Sequence, residues 1–140
     1  MKPLLLLLSL AILAAGCTAR EDTAIPQNQA LPKGPPMFTH SIGAEIPADC
    51  ALRVEFGSYA MGIDPIASAA LDRLLADDPG VTSVQTVAQG REGEKIVCVA
   101  VRSDADAERL FQAISGTFPA DPRGPLTVTT RSGRRFSTGR

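Results

Sequence analysis

The chain has 140 residues, with 14 lysines and arginines against 15 aspartates and glutamates, one histidine, one tyrosine and no tryptophan. A formal net charge of -1, the absence of Trp and the near absence of Tyr argue against the basic, base-stacking groove with which proteins bind nucleic acid. We therefore expect no nucleic-acid partner, and the length fits one small domain beside its leader segments.

The N-terminus predicts a bacterial export signal. Lys2 precedes the apolar stretch Leu4–Gly16, which ends in small residues immediately before Cys17. A basic start, an apolar run of secretory length and small residues at the cleavage point define such signals, and the run is too short to span a bilayer. Residues 1–16 are therefore predicted to be a signal peptide. The alternatives are an ordinary cleaved signal with an incidental cysteine, or a short buried helix.

The residues Leu13-Ala14-Ala15-Gly16-Cys17 resemble the lipobox of bacterial lipoproteins, although Ala14 stands where the family usually has Leu. The resemblance implies cleavage before Cys17 and attachment of acyl groups such as palmitate to it, which anchors the protein in the membrane. Each buried methylene contributes about 0.8 kcal/mol to such an anchor. Thr18 replaces the Asp that retains these proteins in the inner membrane, so the resemblance implies the outer membrane, facing the periplasm.

Residues 17–47 have the composition of a flexible tether. Prolines are spread among glutamine, asparagine and glycine without a sustained hydrophobic period, at Pro26, Pro32, Pro35, Pro36 and Pro47. A coil of about thirty residues reaches roughly 30 Å, and the prolines extend it. Phe38 and Ile42 can alternatively dock on the domain, but the composition favours an unstructured linker.

Residues 48–140 are predicted to form one small α+β domain. Alternating apolar residues in Leu52–Phe56 indicate a half-buried strand. The pair Asp64-Pro65 is typical of a helix N-terminus, and the apolar stripe Ile66–Leu75 continues that helix until Pro79-Gly80 ends it.

The second half of the domain repeats this alternation of strand and helix. Val81–Ala88 and Lys95–Val101 are rich in β-branched residues and predict a hairpin. Ser103, with Asp106 three residues later, resembles a capping box and begins a second helix, which Gly116 ends.

The C-terminal part completes the predicted fold. Leu126–Thr130 alternates as a last strand, and Ser132-Gly133 can turn the chain into a short C-terminal hairpin through Phe136. The order strand-helix-strand-strand-helix-strand predicts a ferredoxin-like βαββαβ sandwich, with two helices on one face of a four-stranded antiparallel sheet.

The cysteines fit an exported protein. With Cys17 assigned to lipid, Cys50 and Cys98 remain as a pair in a compartment that can oxidise thiols. We expect a disulfide between them, on the sheet face that carries Leu52 and Val54, where it would stabilise the domain by about 4 kcal/mol in the chain-entropy model. Two buried free thiols are the alternative.

The residues offer no constellation for catalysis. The one histidine, His40, is placed in the tether, so no nucleophile–histidine pair is predicted. The close acidic groups, Asp77-Asp78 and Glu92 with Glu94, lie at a helix end and a turn, where solvated charge is ordinary. No cysteine–histidine cluster has metal-ligand spacing. We therefore expect no enzyme, no cofactor and no metal site.

Two surfaces are candidate binding sites. One is the open sheet face. If Ile96, Cys98 and Ala100 pack beneath the helices, then Val97, Val99 and Val101 form an exposed apolar ridge beside Arg53 and Glu55. The alternative is a central strand buried on both faces by the linker or the final hairpin. The second candidate is the basic C-terminus, formed by Arg131, Arg134, Arg135 and Arg140. It can bind an anionic polymer or lipid. The alternative is a solvated strand end.

The segment Val54-Glu55-Phe56-Gly57-Ser58-Tyr59 and the alanine-rich helix after it resemble the opening of a SPOR domain. SPOR domains are ferredoxin-like envelope modules that bind peptidoglycan glycan strands lacking stem peptides. Glu55 stands where the family has Gln, and the third strand runs into Val101-Arg102-Ser103 instead of a Gly-Pro-aromatic segment. The resemblance covers part of the domain and implies a glycan site around Arg53, Glu55 and Tyr59.

The sequence therefore predicts a non-enzymatic, lipid-anchored protein of the cell envelope. Its small domain is expected to bind another envelope protein through the sheet face. The alternative is binding of peptidoglycan glycan strands.

Overall fold

A computed structural model describes residues 34–139 of the chain. The predicted signal peptide (1–16), the predicted lipidation site Cys17 and the first part of the predicted tether lie outside these residues, as does Arg140. The described elements are, in chain order, β1 (Met37–Ile42), β2 (Leu52–Phe56), α1 (Pro65–Asp77), β3 (Val81–Ala88), β4 (Lys95–Val101), α2 (Asp104–Thr117), β5 (Leu126–Thr130) and β6 (Arg135–Thr138).

The fold is α+β, with two helices and one six-stranded mixed sheet in the order β1-β3-β4-β2-β5-β6. The four inner strands are the predicted ones, and each is antiparallel to its neighbours within this group. The expected count of four strands is wrong, because each edge of the inner sheet carries one more strand. β1 lies parallel to β3, and β6 forms the short C-terminal hairpin with β5.

The strand β1 lies in the segment that was expected to be an unstructured tether. That expectation is wrong for Met37–Ile42, which pairs along its whole length with Ser83–Ala88 of β3. The side chains of β1 are mostly exposed, including Phe38 and Ile42. Because this strand is held through its backbone, it lacks the alternation of buried and exposed residues by which sequence reveals a strand.

Both helices begin at the predicted caps. The Asp64 carboxylate accepts hydrogen bonds from the backbone N–H groups of Ile66 and Ala67, at 3.0 and 2.9 Å. The Ser103 hydroxyl accepts one from the N–H of Asp106 at 3.2 Å. Such caps satisfy donors that the first helical turn leaves unpaired. The apolar faces of both helices share one core with one face of the sheet.

The pairing of β2 with β4 decides which residues face the helices. Leu52 lies opposite Val99, and Val54 lies opposite Val97, all within the buried core. Cys98 therefore points to the other face. The expectation that Cys98 packs beneath the helices, while the valines of β4 emerge on the open face, is wrong. β4 is a continuous apolar run without alternation, so its sequence does not specify a face.

The chain crosses the open face of the sheet between β1 and β2. These two strands are parallel and are separated by β3 and β4. Residues 43–50, here called the crossing segment, run back over the face opposite to the helices and end at Cys50, which is bonded to Cys98. Compared with the β2-α1-β3 connection, the β1–β2 connection crosses the other face of the sheet and moves across the strands in the opposite direction. The two connections therefore have the same handedness.

Candidate binding surfaces

The predicted valine ridge is not on the surface. Val97 and Val99 are 1% and 0% exposed, and Val101 packs against the same core. Cys98, on the other face of β4, is 7% exposed. The central strand is therefore buried on both faces, which was the alternative interpretation, and the crossing segment covers the second face. Val97 and Val99 therefore cannot contact a partner in this fold, and Val101 is partly buried against the core.

Cys50 and Cys98 form the expected disulfide, with a sequence separation of 48 residues. Its position differs from the expectation, because it lies on the open face and not beside Leu52 and Val54. The bond joins the end of the crossing segment to the central strand. It thereby determines where the chain enters β2.

Arg53 and Glu55 lie together on the part of the open face that the crossing segment leaves free. Arg53 Nε is 2.7 Å from Glu55 Oε1, and the two side chains are 43% and 40% exposed. Beside them is a groove of about 360 Å³ whose lining includes Ile46, Pro47, Arg53, Thr129 and Arg131. We call it the Arg53 groove. Its lining offers hydrogen-bonding groups and two cationic side chains.

Two of the four arginines of the predicted basic C-terminus are engaged within the domain, whereas Arg135 is exposed on β6 and Arg140 lies outside the described residues. Arg131 donates a hydrogen bond to the backbone carbonyl of Asp49. Arg134 pairs with Glu108, and its guanidinium carbon lies 4.5 Å from the centroid of the Phe111 ring. A cation placed over an aromatic ring in this way is attracted by it. Two of the predicted arginines therefore stabilise the fold, and they do not form a free cationic patch.

The acidic groups near α1 and α2 form a structural network. Arg109 contacts Asp78, and it also contacts Asp106 at 2.9 Å. Hydrogen bonds from Arg109 lower the pKa of Asp78 and are the largest cause of the lowered pKa of Asp106. Both carboxylates are held ionised, which suits an ion pair and not proton transfer near neutral pH. His40, expected in the tether, lies exposed on β1.

The chain between β2 and α1 forms an ordered loop. The N–H of Gly57 donates to the carbonyl of Pro125 at 2.8 Å. The Ser58 hydroxyl accepts from the N–H of Gly62 at 3.0 Å, and it also contacts Glu92. A Cβ at Gly57 would stand 2.6 Å from Pro125 Cγ, so only glycine permits this close approach. Hydrogen bonds to two other loops therefore hold the loop in place.

This loop exposes large apolar side chains. Tyr59, Met61 and Ile66 are 46%, 69% and 77% exposed. We call residues 57–66, which are the loop and the first two residues of α1, the Tyr59 loop. Ala60, at its centre, has a φ of 71°, a left-handed conformation that costs a non-glycine residue about 1 kcal/mol or more. The surrounding contacts maintain that conformation.

Sequence reasoning found only part of this loop. Tyr59 was identified through the SPOR resemblance, whereas Met61 was not considered. Ile66 was assigned to the apolar stripe of α1, and its exposure corrects that assignment. At the second residue of α1 it precedes the first buried position, Ala67. An isolated apolar residue in a loop carries no sequence signal that tells whether another part of the chain covers it.

The Tyr59 loop and the start of β1 lie at opposite ends of the sheet. β1 and β2 are parallel, so the chain enters β1 at the end of the sheet where β2 begins, and the Tyr59 loop follows the other end of β2. Tyr59 there lines a depression of about 580 Å³ with Asp121, Pro122 and Ser137.

In the described residues, no helix is long and apolar enough to span a membrane, and no three metal-ligating side chains are grouped. No protein-family model matches the chain, and no curated protein is significantly similar to it in sequence.

Proposed function

We propose that this protein is a lipid-anchored component of the bacterial cell envelope that acts by binding another envelope protein and not by catalysis. The lipobox-like residues that end in Cys17 support the anchor and a periplasm-facing position at the outer membrane. The exposed, ordered Tyr59 loop supports the binding role. It replaces the valine ridge as the proposed docking surface.

The exposure of Met61 and Ile66 carries this proposal. Large apolar side chains exposed on one loop can form an interaction site, and an ordered loop loses less conformational entropy on binding than a mobile one. Full burial of a Met or Ile side chain contributes roughly 1.5–3 kcal/mol. The two side chains would contribute this favourable burial toward offsetting the cost of association, which includes lost translational and rotational freedom.

The tether supports the same role. Cys17 and β1 are separated by residues 18–36, and a coil of that length reaches about 25 Å. We propose that this tether links the anchor to the end of the sheet where β1 begins. The Tyr59 loop, at the other end of the sheet, is then kept clear of the attachment point.

We also propose that the inner four strands and two helices form a ferredoxin-like sandwich. Their sheet order, β3-β4-β2-β5, and the chain order β2-α1-β3-β4-α2-β5 support it. In this assignment β1 and β6 are additions at the two edges. A shared architecture carries no function with it, so the binding proposal rests on the loop.

Site-specific photo-cross-linking in the native envelope tests the docking surface. A photoreactive residue at Met61 should give one defined adduct with an envelope protein, and Ile66→Asp in the same chain should reduce that adduct about tenfold, since it removes more than 1.4 kcal/mol of apolar contact. The control places the photoreactive residue at Ala69, an exposed position of α1. Equal adducts at both positions, or none at Met61, would contradict the proposal.

Peptidoglycan glycan binding is the second candidate, and the polar Arg53 groove favours it. Its weakness is chemical, because among the described residues the open face of the strands presents no aromatic ring on which a sugar can stack. Retention of the full chain on purified sacculi, reduced by Arg53→Ala and by Tyr59→Ala, would favour glycan binding. Failure to bind sacculi, together with a defined Met61 adduct, would favour the protein partner.

A further inference from the structure

The edge strand β1 has an unusual surface for its position. One side of its backbone pairs with β3, and no strand of the described part of the chain lies on its other side. Three of its side chains are large, apolar and exposed: Met37 is 68% exposed, Phe38 43% and Ile42 92%. The strand thus combines apolar side chains with a backbone edge that no described strand pairs.

β1 also lacks the features that protect sheet edges. Proteins blunt free edges with charged residues, proline or very short strands. The six residues Met37–Ile42 include no Asp, Glu, Lys, Arg or Pro. The opposite edge strand, β6, has four residues and begins with Arg135. The other two strands without charged residues, β3 and β5, are paired on both sides.

We propose that β1 is an interface between two copies of this chain, in which β1 of each copy pairs antiparallel with β1 of the other and joins the two sheets. This inference does not depend on the proposed function. The sequence of β1 is self-complementary for such pairing. It contains no Asp, Glu, Lys or Arg, and its apolar residues can face each other across the interface.

The two faces of the sheet restrict the register. Opposite residues of an antiparallel pair must lie on the same face, and Phe38, His40 and Ile42 share the helix-side face. We infer the register in which His40 lies opposite His40 of the second copy. Phe38 of each copy then lies opposite Ile42 of the other, so the two-fold symmetry gives two such pairs. Both residues would lose most of their present exposure.

The helices leave room for this pairing. α1 packs on the sheet nearest to β3, so the α1 helices of the two copies would be separated by three strand spacings, or about 14 Å. A helix with its side chains is about 10 Å wide. The Phe38 and Ile42 side chains would therefore fill the space between the two helices. The crossing segment leads away from this edge, toward β2.

Cysteine cross-linking of the full chain in its native membrane tests both the interface and the register. Directly opposite residues have Cβ atoms about 4.5–5.5 Å apart, and diagonal residues about 7–8 Å. His40→Cys should therefore form a disulfide-linked dimer when copper phenanthroline and dissolved oxygen take up the two electrons and two protons. In this register Thr39 of one copy lies diagonal to Thr39 of the other, so Thr39→Cys should form much less disulfide-linked dimer. Arg135→Cys, on the opposite edge, is the matched control.

The expected result is about tenfold more dimer for His40→Cys than for Arg135→Cys. In the double variant with Phe38→Asp that dimer should be lost, because two carboxylates enter the interface. An intact Cys50–Cys98 bond, checked by peptide mass, shows that each variant has folded. Dimer yields equal to those of Arg135→Cys, a larger yield for Thr39→Cys, or an adduct with a different protein would each overturn the proposal.

Discussion

At the scale of single residues, Asp64 joins the start of α1 to the loop before β5. One carboxylate oxygen caps α1 through the N–H groups of Ile66 and Ala67. The other accepts from the N–H of Arg123, in the loop before β5, at 3.1 Å. The side chain is nearly buried, so each bond replaces one that water would otherwise make. Asp64 therefore ties the end of the Tyr59 loop to the loop that precedes β5.

Removal of the Asp64 carboxylate should be more costly than removal of an ordinary cap. Asp64→Ala should lower the free energy of unfolding by about 2 kcal/mol, because it removes a cap and leaves the N–H of Arg123 unpaired. Ser103→Ala, which removes the cap of α2 alone, should cost about 1 kcal/mol. Urea unfolding followed by circular dichroism measures both. Equal losses would show that the bond to Arg123 contributes nothing.

The charge of Asp64 also predicts a pH dependence. The hydrogen bond from Ala67, with those from Arg123 and Ile66, lowers the pKa of Asp64 from its ordinary 3.8. The unfolded state then binds the proton more readily, so this stabilisation is complete above the unfolded pKa and is lost as the pH falls through the folded pKa. The wild type should unfold with a larger free energy than Asp64→Asn near neutral pH, and this difference should shrink below about pH 4. An unchanged difference there would contradict the assignment.

At the scale of elements, the crossing segment buries few of its side chains. Most of its side chains are exposed or half-exposed, and the strand before it is held by backbone pairing. The Cys50–Cys98 disulfide attaches its far end to the central strand. The disulfide therefore mainly fixes the position of this segment, and its contribution to the stability of the whole domain is secondary.

Loss of the disulfide should affect the crossing segment before the core. Cys50→Ala with Cys98→Ala should cost up to about 4 kcal/mol of unfolding free energy, since a loop of this length is no longer closed in the unfolded chain. A glutamate-specific protease should then cut after Glu45 faster than in the wild type. The control site is Glu108, within α2, which should stay resistant while the domain is folded.

Protease digestion before and after reduction of the wild-type protein separates these effects. Faster cleavage at Glu45 with Glu108 intact indicates local release of the segment. Simultaneous cleavage at both sites indicates global unfolding. Equal rates at Glu45 with and without the disulfide would contradict the role assigned to the bond.

At the scale of the whole molecule, the proposed anchor determines where the domain acts. An acylated Cys17 would retain the protein in the membrane, whereas the described domain has no helix that spans one. The tether then sets the distance over which the Tyr59 loop can find a partner. Anchoring also raises the local concentration of the chain, which favours pairing between copies.

The anchor predicts a change of location in one variant. Cys17→Ser should move the protein from the detergent phase to the aqueous phase in a detergent phase-partition assay of whole envelopes, because the buried acyl chains are lost. Cys50→Ala should leave the protein in the detergent phase. The intact mass of the wild type should equal the chain from Cys17 plus acyl groups. A wild-type protein in the aqueous phase, or a mass without acyl groups, would contradict the anchor.

The inner elements of the fold could be predicted because their signals are local. A cap, a proline and an apolar stripe within a few residues specify α1, and Ser103 with Asp106 does the same for α2. The strand β1 could not be predicted in this way, because it buries almost none of its side chains. The candidate site was also only partly predictable, since the exposure of Met61 and Ile66 depends on distant parts of the chain.

The sequence alone determined the order of the inner strands and helices, the caps, and the disulfide partners, because each depends on neighbouring residues or on the small number of cysteines. Only the tertiary structure decided which face of β4 meets the helices, that the chain crosses the open face, and that β1 joins the sheet. β4 is apolar throughout, so its sequence is compatible with either face. Pairing with β2 on one side and β3 on the other resolved that choice.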